Sequence, residues 1–200
     1  MKASLFGMTR LATAALLLVA CSKKGNDGAD TTAVRTTAAT DTSAATGSTA
    51  SGSWTDDNIF ALLDEANAAD SAAGALAVTK GTAAAVRDYG RRMVRDHHQL
   101  RARGEALAKK LKIIPLAPAA DLVAPSAQKH MDILNSTAKG KDFDKAYIDG
   151  EVEIHKSVLE LATQAARQTE NTELKNLIQK AAPVIRDHLN LAESVQKSLK

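Results

Sequence analysis

Aromatic side chains make up only 3% of the 200 residues, and the chain has four prolines and one cysteine. Each scarcity excludes something. A single cysteine cannot form an internal disulfide, and no C-x-x-C-H haem site is possible. With so few prolines and aromatics, the apolar 44% is mostly Ala, Leu, Val and Ile, a composition that favours helices over a β core. Neither sign of charge dominates. The net charge is +3. Leaving out Lys2 and Arg10, which fall in a leader described next, 24 basic residues face 23 acidic ones. The isoelectric point near 9.0 therefore says little about an anionic partner. Catalytic signatures are also missing: there is no G-x-S-x-G, no glycine-rich phosphate loop and no H-E-x-x-H. The balance leans away from an enzyme.

What is present begins with an address. Lys2 and Arg10 make a basic start, and Leu11 to Ala20 (LATAALLLVA) is an apolar run. At ten residues it is too short to span a bilayer but suits the core of a secretory signal peptide, here residues 1–20. It ends in Leu18-Val19-Ala20-Cys21, which resembles the bacterial lipobox. That resemblance implies lipidation of Cys21, which then serves as the membrane anchor and the new N-terminus. Each buried CH₂ of its acyl chains adds about 0.8 kcal/mol of membrane affinity. Ser22 follows in place of the aspartate that retains lipoproteins in the inner membrane. The expected location is thus the outer membrane, facing the periplasm.

Residues 21–53 read as a tether. From Ser22 to Ser53 the chain is almost wholly Ser, Thr, Ala, Gly and Asp, with Val34 the only large apolar residue. Such a segment cannot bury enough surface to fold. As a flexible coil its 32 residues span about 30 Å.

From residue 54 to 200 the pattern predicts four long helices. Thr55 is the expected N-cap of the first, with Trp54 stapled onto Ile59. Gly81 ends it, and its inward stripe is Ile59, Leu63, Ala66, Asp70, Ala73, Gly74 and Ala77. The small residues after Asp70 would let a neighbouring helix come close. Thr82 is the expected cap of the second helix, whose stripe includes Val86, Tyr89, Met93, His97 and Leu100. A long connection follows, in which Pro115, Pro118 and Pro125 disfavour helix; Ser126 to Ala138 forms a short one. The third long helix, Asp142 to Gln168, carries Glu151 and His155 on its inner face. The fourth carries His188, and Pro183 sits inside it. Short, long and short links give a ferritin-like antiparallel four-helix bundle, all-α, with a crossover carrying an extra helix between the second and third long helices. Val94-Arg95-Asp96-His97 and Ile185-Arg186-Asp187-His188 repeat one pattern, consistent with pseudo-two-fold symmetry.

The segments VRDYGRRMVRDHHQL, FDKAYIDGEVEIHKSVLEL and AAPVIRDHLNLAESV resemble a bacterial family of exported, ferritin-like proteins catalogued as domain of unknown function 4142. The carriers are Asp96-His97, Phe143-Asp144, Tyr147, His155, Pro183 and His188. Members usually have glutamate where this chain has Asp70. The resemblance implies a fold and a compartment rather than a reaction.

Asp70, His97, Glu151, His155 and His188 come from all four long helices and sit at similar depth. Such ligands suit Fe, Zn, Mn or Cu. The di-iron pattern needs Glu-x-x-His, but the residues three before His97, His155 and His188 are Val94, Val152 and Ile185. A standard di-iron site is excluded. A mononuclear site of three His and one or two carboxylates, with Met93 as a possible soft ligand, stands beside two alternatives: a hydrogen-bonded network that fixes bundle register, or a small-ligand pocket. His130 reads as a partly exposed histidine, and His98 as surface. The function therefore has two readings. One is a non-enzymatic, lipid-anchored envelope or stress-related protein. The other is a metal-binding or metal-dependent redox protein. The basic second helix offers contact with anionic envelope components, or is simply a solvated face. Nucleic acid is not an expected partner.

Overall fold

The computed structural model describes residues 53–199. The leader, Cys21 and nearly all of the tether lie outside the described residues. Gly47–Lys200 is a compact unit in itself. The described residues form five helices: α1 (Asp56–Lys80), α2 (Ala84–Leu111), α3 (Val123–Ser136), α4 (Lys141–Gln168) and α5 (Thr172–Ser198).

Local chemistry sets most of the ends. Thr55 precedes α1, its N–H and hydroxyl both donating to Asn58 Oδ1, and Trp54 packs on the cluster that holds Ile59. Gly81 closes α1, its N–H donating to Ala77 O. Asn171 caps α5 by accepting from the N–H groups of Glu173 and Leu174. α2 differs from expectation. Its cap residue is Ala83, and Thr82 points elsewhere. The Asp144 carboxylate of α4 accepts from Thr82 N (2.8 Å), Thr82 Oγ1 (2.5 Å) and Ala83 N (2.8 Å). A buried acid from another helix thus replaces the local cap. α3 also starts earlier than expected, because Asp121 Oδ1 accepts from Val123 N at 2.8 Å. Pro125 is tolerated in its first turn, where an N–H has no intrahelical acceptor. Helix α5 continues through Pro183.

The helix ends define the topology. At one end, here called the top, Asp144 at the start of α4 meets the α1–α2 turn, and Lys80 Nζ donates to Leu134 O of α3 at 2.6 Å. At the bottom, Trp54 N donates to Gln168 Oε1 and Thr169 Oγ1 to Asp56 Oδ1, both at 2.6 Å, and Lys110 of α2 pairs with Glu173 of α5. So α1 and α4 are antiparallel, as are α2 and α5, while α2 and α4 run parallel. α1 packs most extensively on α2, and α4 on α5; α2 against α5 and α1 against α4 complete the ring. Parallel α2 and α4 require the chain to travel the full height of the bundle between them. The crossover does so, with α3 laid on α1 and α4. This is the ferritin-like connectivity.

Two apolar clusters fill the interior. The upper contains Val86, Tyr89, Met93, Phe143, Tyr147 and Val195; the lower contains Ile59, Phe60, Ala108, Ala162, Leu174 and Ile178. From α5 the lower cluster uses Leu174 and Ile178. Polar residues at mid-height separate the two.

Candidate metal centre

All five residues singled out in the sequence are buried at this level. Asp70 and His97 are 1% exposed, and Glu151, His155 and His188 are 0% exposed. The imidazole rings converge: His97 and His188 have centroids 5.1 Å apart, His155 and His188 5.5 Å, and His97 and His155 5.7 Å. One ring nitrogen from each lies within 4.8 Å of the other two. One ligand atom each from Asp70, Glu151 and His155 meets the same limit. Asp70 Oδ2 is 3.6 Å from His97 Nε2, and Glu151 Oε2 is 3.5 Å from His155 Nδ1.

The outer nitrogen of each ring has a fixed partner. His97 Nδ1 is 2.8 Å from Asn67 Oδ1. The Asn67 amide is oriented by donating its own N–H to Leu63 O, so its oxygen must accept and His97 Nδ1 must carry the proton. His155 Nδ1 lies 2.9 Å from the Glu151 backbone carbonyl, which can only accept. His188 Nε2 lies 2.9 Å from Asp96 Oδ2. Burial works to raise the Asp96 carboxyl, but hydrogen bonds from Arg95 and His188 outweigh it and hold the group at about 2. It therefore accepts as well. Each neutral ring then presents a bare lone pair, at His97 Nε2, His155 Nε2 and His188 Nδ1, and none of these three has a hydrogen-bond partner.

Electrostatics keep the rings neutral. Burial pushes His97 well below its ordinary value, and the neighbouring His155 and His188 add to this. Burial, then His188, lowers His155 to about 4. Burial lowers His188 despite the nearby Asp96 carboxylate. The acids shift the other way. Burial, then Glu151, pushes Asp70 well up. Burial raises Glu151 to about 8, with the Tyr89 hydroxyl working against it.

Asn67 escaped the sequence reading, Asp96, Tyr89 and Tyr147 were named there without a part in the layer, and His130 was misplaced. Asn67 stands three residues before Asp70, and its helical spacing was the available signal. Asp96 pairs with Arg95 through one oxygen, and its second oxygen reaches His188. Asp187, its counterpart in the repeated motif, is exposed. The repeat brings His97 and His188 together, yet its acids do different things. Tyr89 and Tyr147 bring buried, unpartnered hydroxyls to the same region. His130 requires correction: it is buried, not partly exposed, with Nε2 3.8 Å from Glu151 Oε1. Gly150 makes room for it, since a Cβ there would lie 2.0 Å from His130 Cε1. His98 is exposed, as expected. Met93 is fully buried within the upper apolar cluster.

The residues fit a cation better than a closed hydrogen-bond network. Among the described residues, every buried side-chain nitrogen or oxygen without a hydrogen-bond partner belongs to these groups: the three imidazoles, Asp70, Glu151, and the bordering Tyr89, Tyr147 and His130. Buried polar networks that only hold structure are satisfied, because each unpaired group costs about 1–3 kcal/mol. Lone pairs on neutral imidazoles, each ring oriented through its other nitrogen, are the arrangement metal-binding histidines adopt.

Fold and interior thus define a class: an all-α four-helix bundle with a buried His/carboxylate layer at mid-height. The chain belongs to the family described as "Domain of unknown function (DUF4142)", whose model matches residues 38–195. Among solved structures it resembles one titled "CopM in the Cu(II)-bound form", with a TM-score of 0.61 and 14% identity over 74% of this chain and 100% of that one. At that identity the likeness is one of fold. No curated protein matches the chain. No helix among the described residues is long and apolar enough to cross a membrane.

Proposed function

We propose that this protein is a lipid-anchored envelope protein that binds a transition-metal ion, with His97, His155 and His188 as its nitrogen ligands and Asp70 and Glu151 as adjoining carboxylates. The observation that carries the reading is the set of three unpartnered imidazole nitrogens, each on a ring whose other nitrogen is already held. A network serving bundle register alone would pair them. Neutral imidazole suits copper, zinc, iron and nickel, and affinity for divalent first-row ions peaks at copper. The fold relative titled as Cu(II)-bound makes copper the first ion to test. A bound divalent cation would supply positive charge to a layer that otherwise strands two acids and three lone pairs. Asn67, the Glu151 carbonyl and Asp96 would hold the ligands in orientation. The departure from Glu-x-x-His spacing and the absence of a catalytic signature favour binding over turnover.

The location rests on the leader and the lipobox-like ending at Cys21. A contact between α2 and anionic envelope components would fall to Arg103, Lys109 and Lys112, which are exposed. Arg91, Arg95, Arg101 and Lys110 face Asp88, Asp96, Asp64 and Glu173 instead.

The test is titration of metal-stripped, untagged protein with Cu(II) and with Zn(II). One ion should bind per chain, raising the unfolding free energy by about 2.7 kcal/mol at a hundredfold excess over Kd. His155→Ala should weaken binding at least a hundredfold, and His98→Ala should leave it unchanged. Substoichiometric uptake with no shift in Tm would overturn the metal assignment. Uptake unaffected by His155→Ala would overturn the site.

A further inference from the structure

Directly below the imidazole layer the four helices surround a cavity of about 170 Å³. Small residues open it. Gly104 of α2 lines it without a side chain, and a Cβ there would meet nothing within 4 Å. Ala162 of α4 and Ala181 of α5 contribute only methyl groups to its wall. The side facing the layer is built next to the histidines: Leu100 is three residues after His97, Val158 three after His155, and Ile185 three before His188.

We propose that this cavity is a binding site for one small, neutral, apolar molecule of about benzene size. The volume supports the size, since an apolar cavity of about 150 Å³ in a protein interior admits benzene. The polar groups in the wall support the chemistry, because they are already engaged. Asn67 donates to Leu63 O and accepts from His97. Arg101 forms two hydrogen bonds to Asp64, at 2.7 and 3.0 Å, and lies 3.6 Å from Glu105. A strongly polar ligand would have to compete with these contacts, would find the rest of the wall apolar, and would give up its hydration. A volume of about 170 Å³ is too small for a peptide or helix. Asp64, Arg101, Glu105 and Pro115 form the partly exposed side of the wall, and a ligand would enter there. The site goes beyond metal binding and needs no metal: its wall is complete in the chain alone, and its roof is the Asn67 that orients His97.

The experiment uses the full chain, stripped of metal. Benzene and, separately, benzoate are titrated while Tm and binding heat are followed. Benzene should bind saturably and raise Tm, and benzoate should do neither. Gly104→Leu directs a side chain into the cavity and should raise the Kd for benzene at least tenfold. Ala162→Met fills it from the opposite wall and should act alike, which covers the case in which one variant folds poorly. No saturable binding of benzene to the wild type, or binding that survives both substitutions, would overturn the proposal. Benzoate binding as tightly as benzene would overturn the assignment of ligand chemistry. Because metal is absent throughout, the result is independent of the copper and zinc titrations.

Discussion

Above the polar layer the first two helices touch backbone to backbone; below it a cavity opens beside them. At the top, Gly74 of α1 faces Gly90 of α2. A Cβ on Gly74 would lie 2.8 Å from Gly90 O, and one on Gly90 would lie 2.7 Å from Gly74 O. This half also holds Tyr89, Phe143 and Tyr147, fully buried, and Asp144 ties its end together. At the bottom, Gly104 of the same helix α2 looks into open space, and the lower cluster is rich in alanine. The same residue type therefore permits close approach in one half and leaves room in the other. The histidine layer sits at the boundary, clamped from above by packing and bordered below by a cavity. That placement suits a site whose ligands must be held still while something small reaches them.

The sharpest way to break this contrast is to put leucine at each glycine in turn. Gly90→Leu should cost about 3 kcal/mol or more, because the new side chain forces α1 and α2 apart in a filled region. Gly104→Leu should change stability by less than about 1 kcal/mol, since leucine is also the better helix former. Equal losses in chemical denaturation would show that the two halves are packed alike.

A second prediction probes the layer from its upper side through Glu151. Its carboxyl is raised from 4.5 to about 8, chiefly by burial. The folded chain keeps this proton where the unfolded chain has released it. The resulting stabilisation is fully present below 4.5 and is lost as pH rises through about 8. Glu151→Gln has no proton to lose. For metal-free protein, the unfolding free energy of wild type minus that of the variant should fall by a few kcal/mol between roughly pH 4 and pH 9. A difference that stays level, or rises, would mean that Glu151 is ionised in the folded layer.

A more local effect is expected at the top of the bundle. Asp144→Ala removes three hydrogen bonds to the α1–α2 turn and should cost about 2 kcal/mol, the upper range for loss of a helix cap. The loss should appear as faster amide exchange in the first turn of α2, with the bottom of the bundle unaffected. Uniform exchange along α2 would assign Asp144 to general packing.

Much of this was legible in the sequence. Helix count, the antiparallel pairs, the crossover and much of the buried face of each helix followed from apolar spacing and from Gly, Pro and capping residues, although Phe60 and Leu62 are buried where Leu63 was expected. So did the five-residue layer, because polar groups on an apolar stripe stand out. His130 did not stand out: its burial depends on Gly150 in a different helix. The bond from Asp96 to His188, 92 residues away, leaves no local trace. Thr82 was a sound local cap, but its hydroxyl donates to Asp144 of α4 and is drawn away from the helix start.

By itself the sequence determined that the chain is a helical bundle with an acid-and-histidine layer, since apolar periodicity is a property of each helix alone. Only the tertiary structure decided what that layer can do. Which imidazole nitrogen is occupied and which is bare depends on how four helices are rotated and spaced to within an ångström or so, as does whether a glycine brings helices together or leaves a cavity. No one-dimensional pattern encodes those distances, because each is set jointly by residues far apart in the chain.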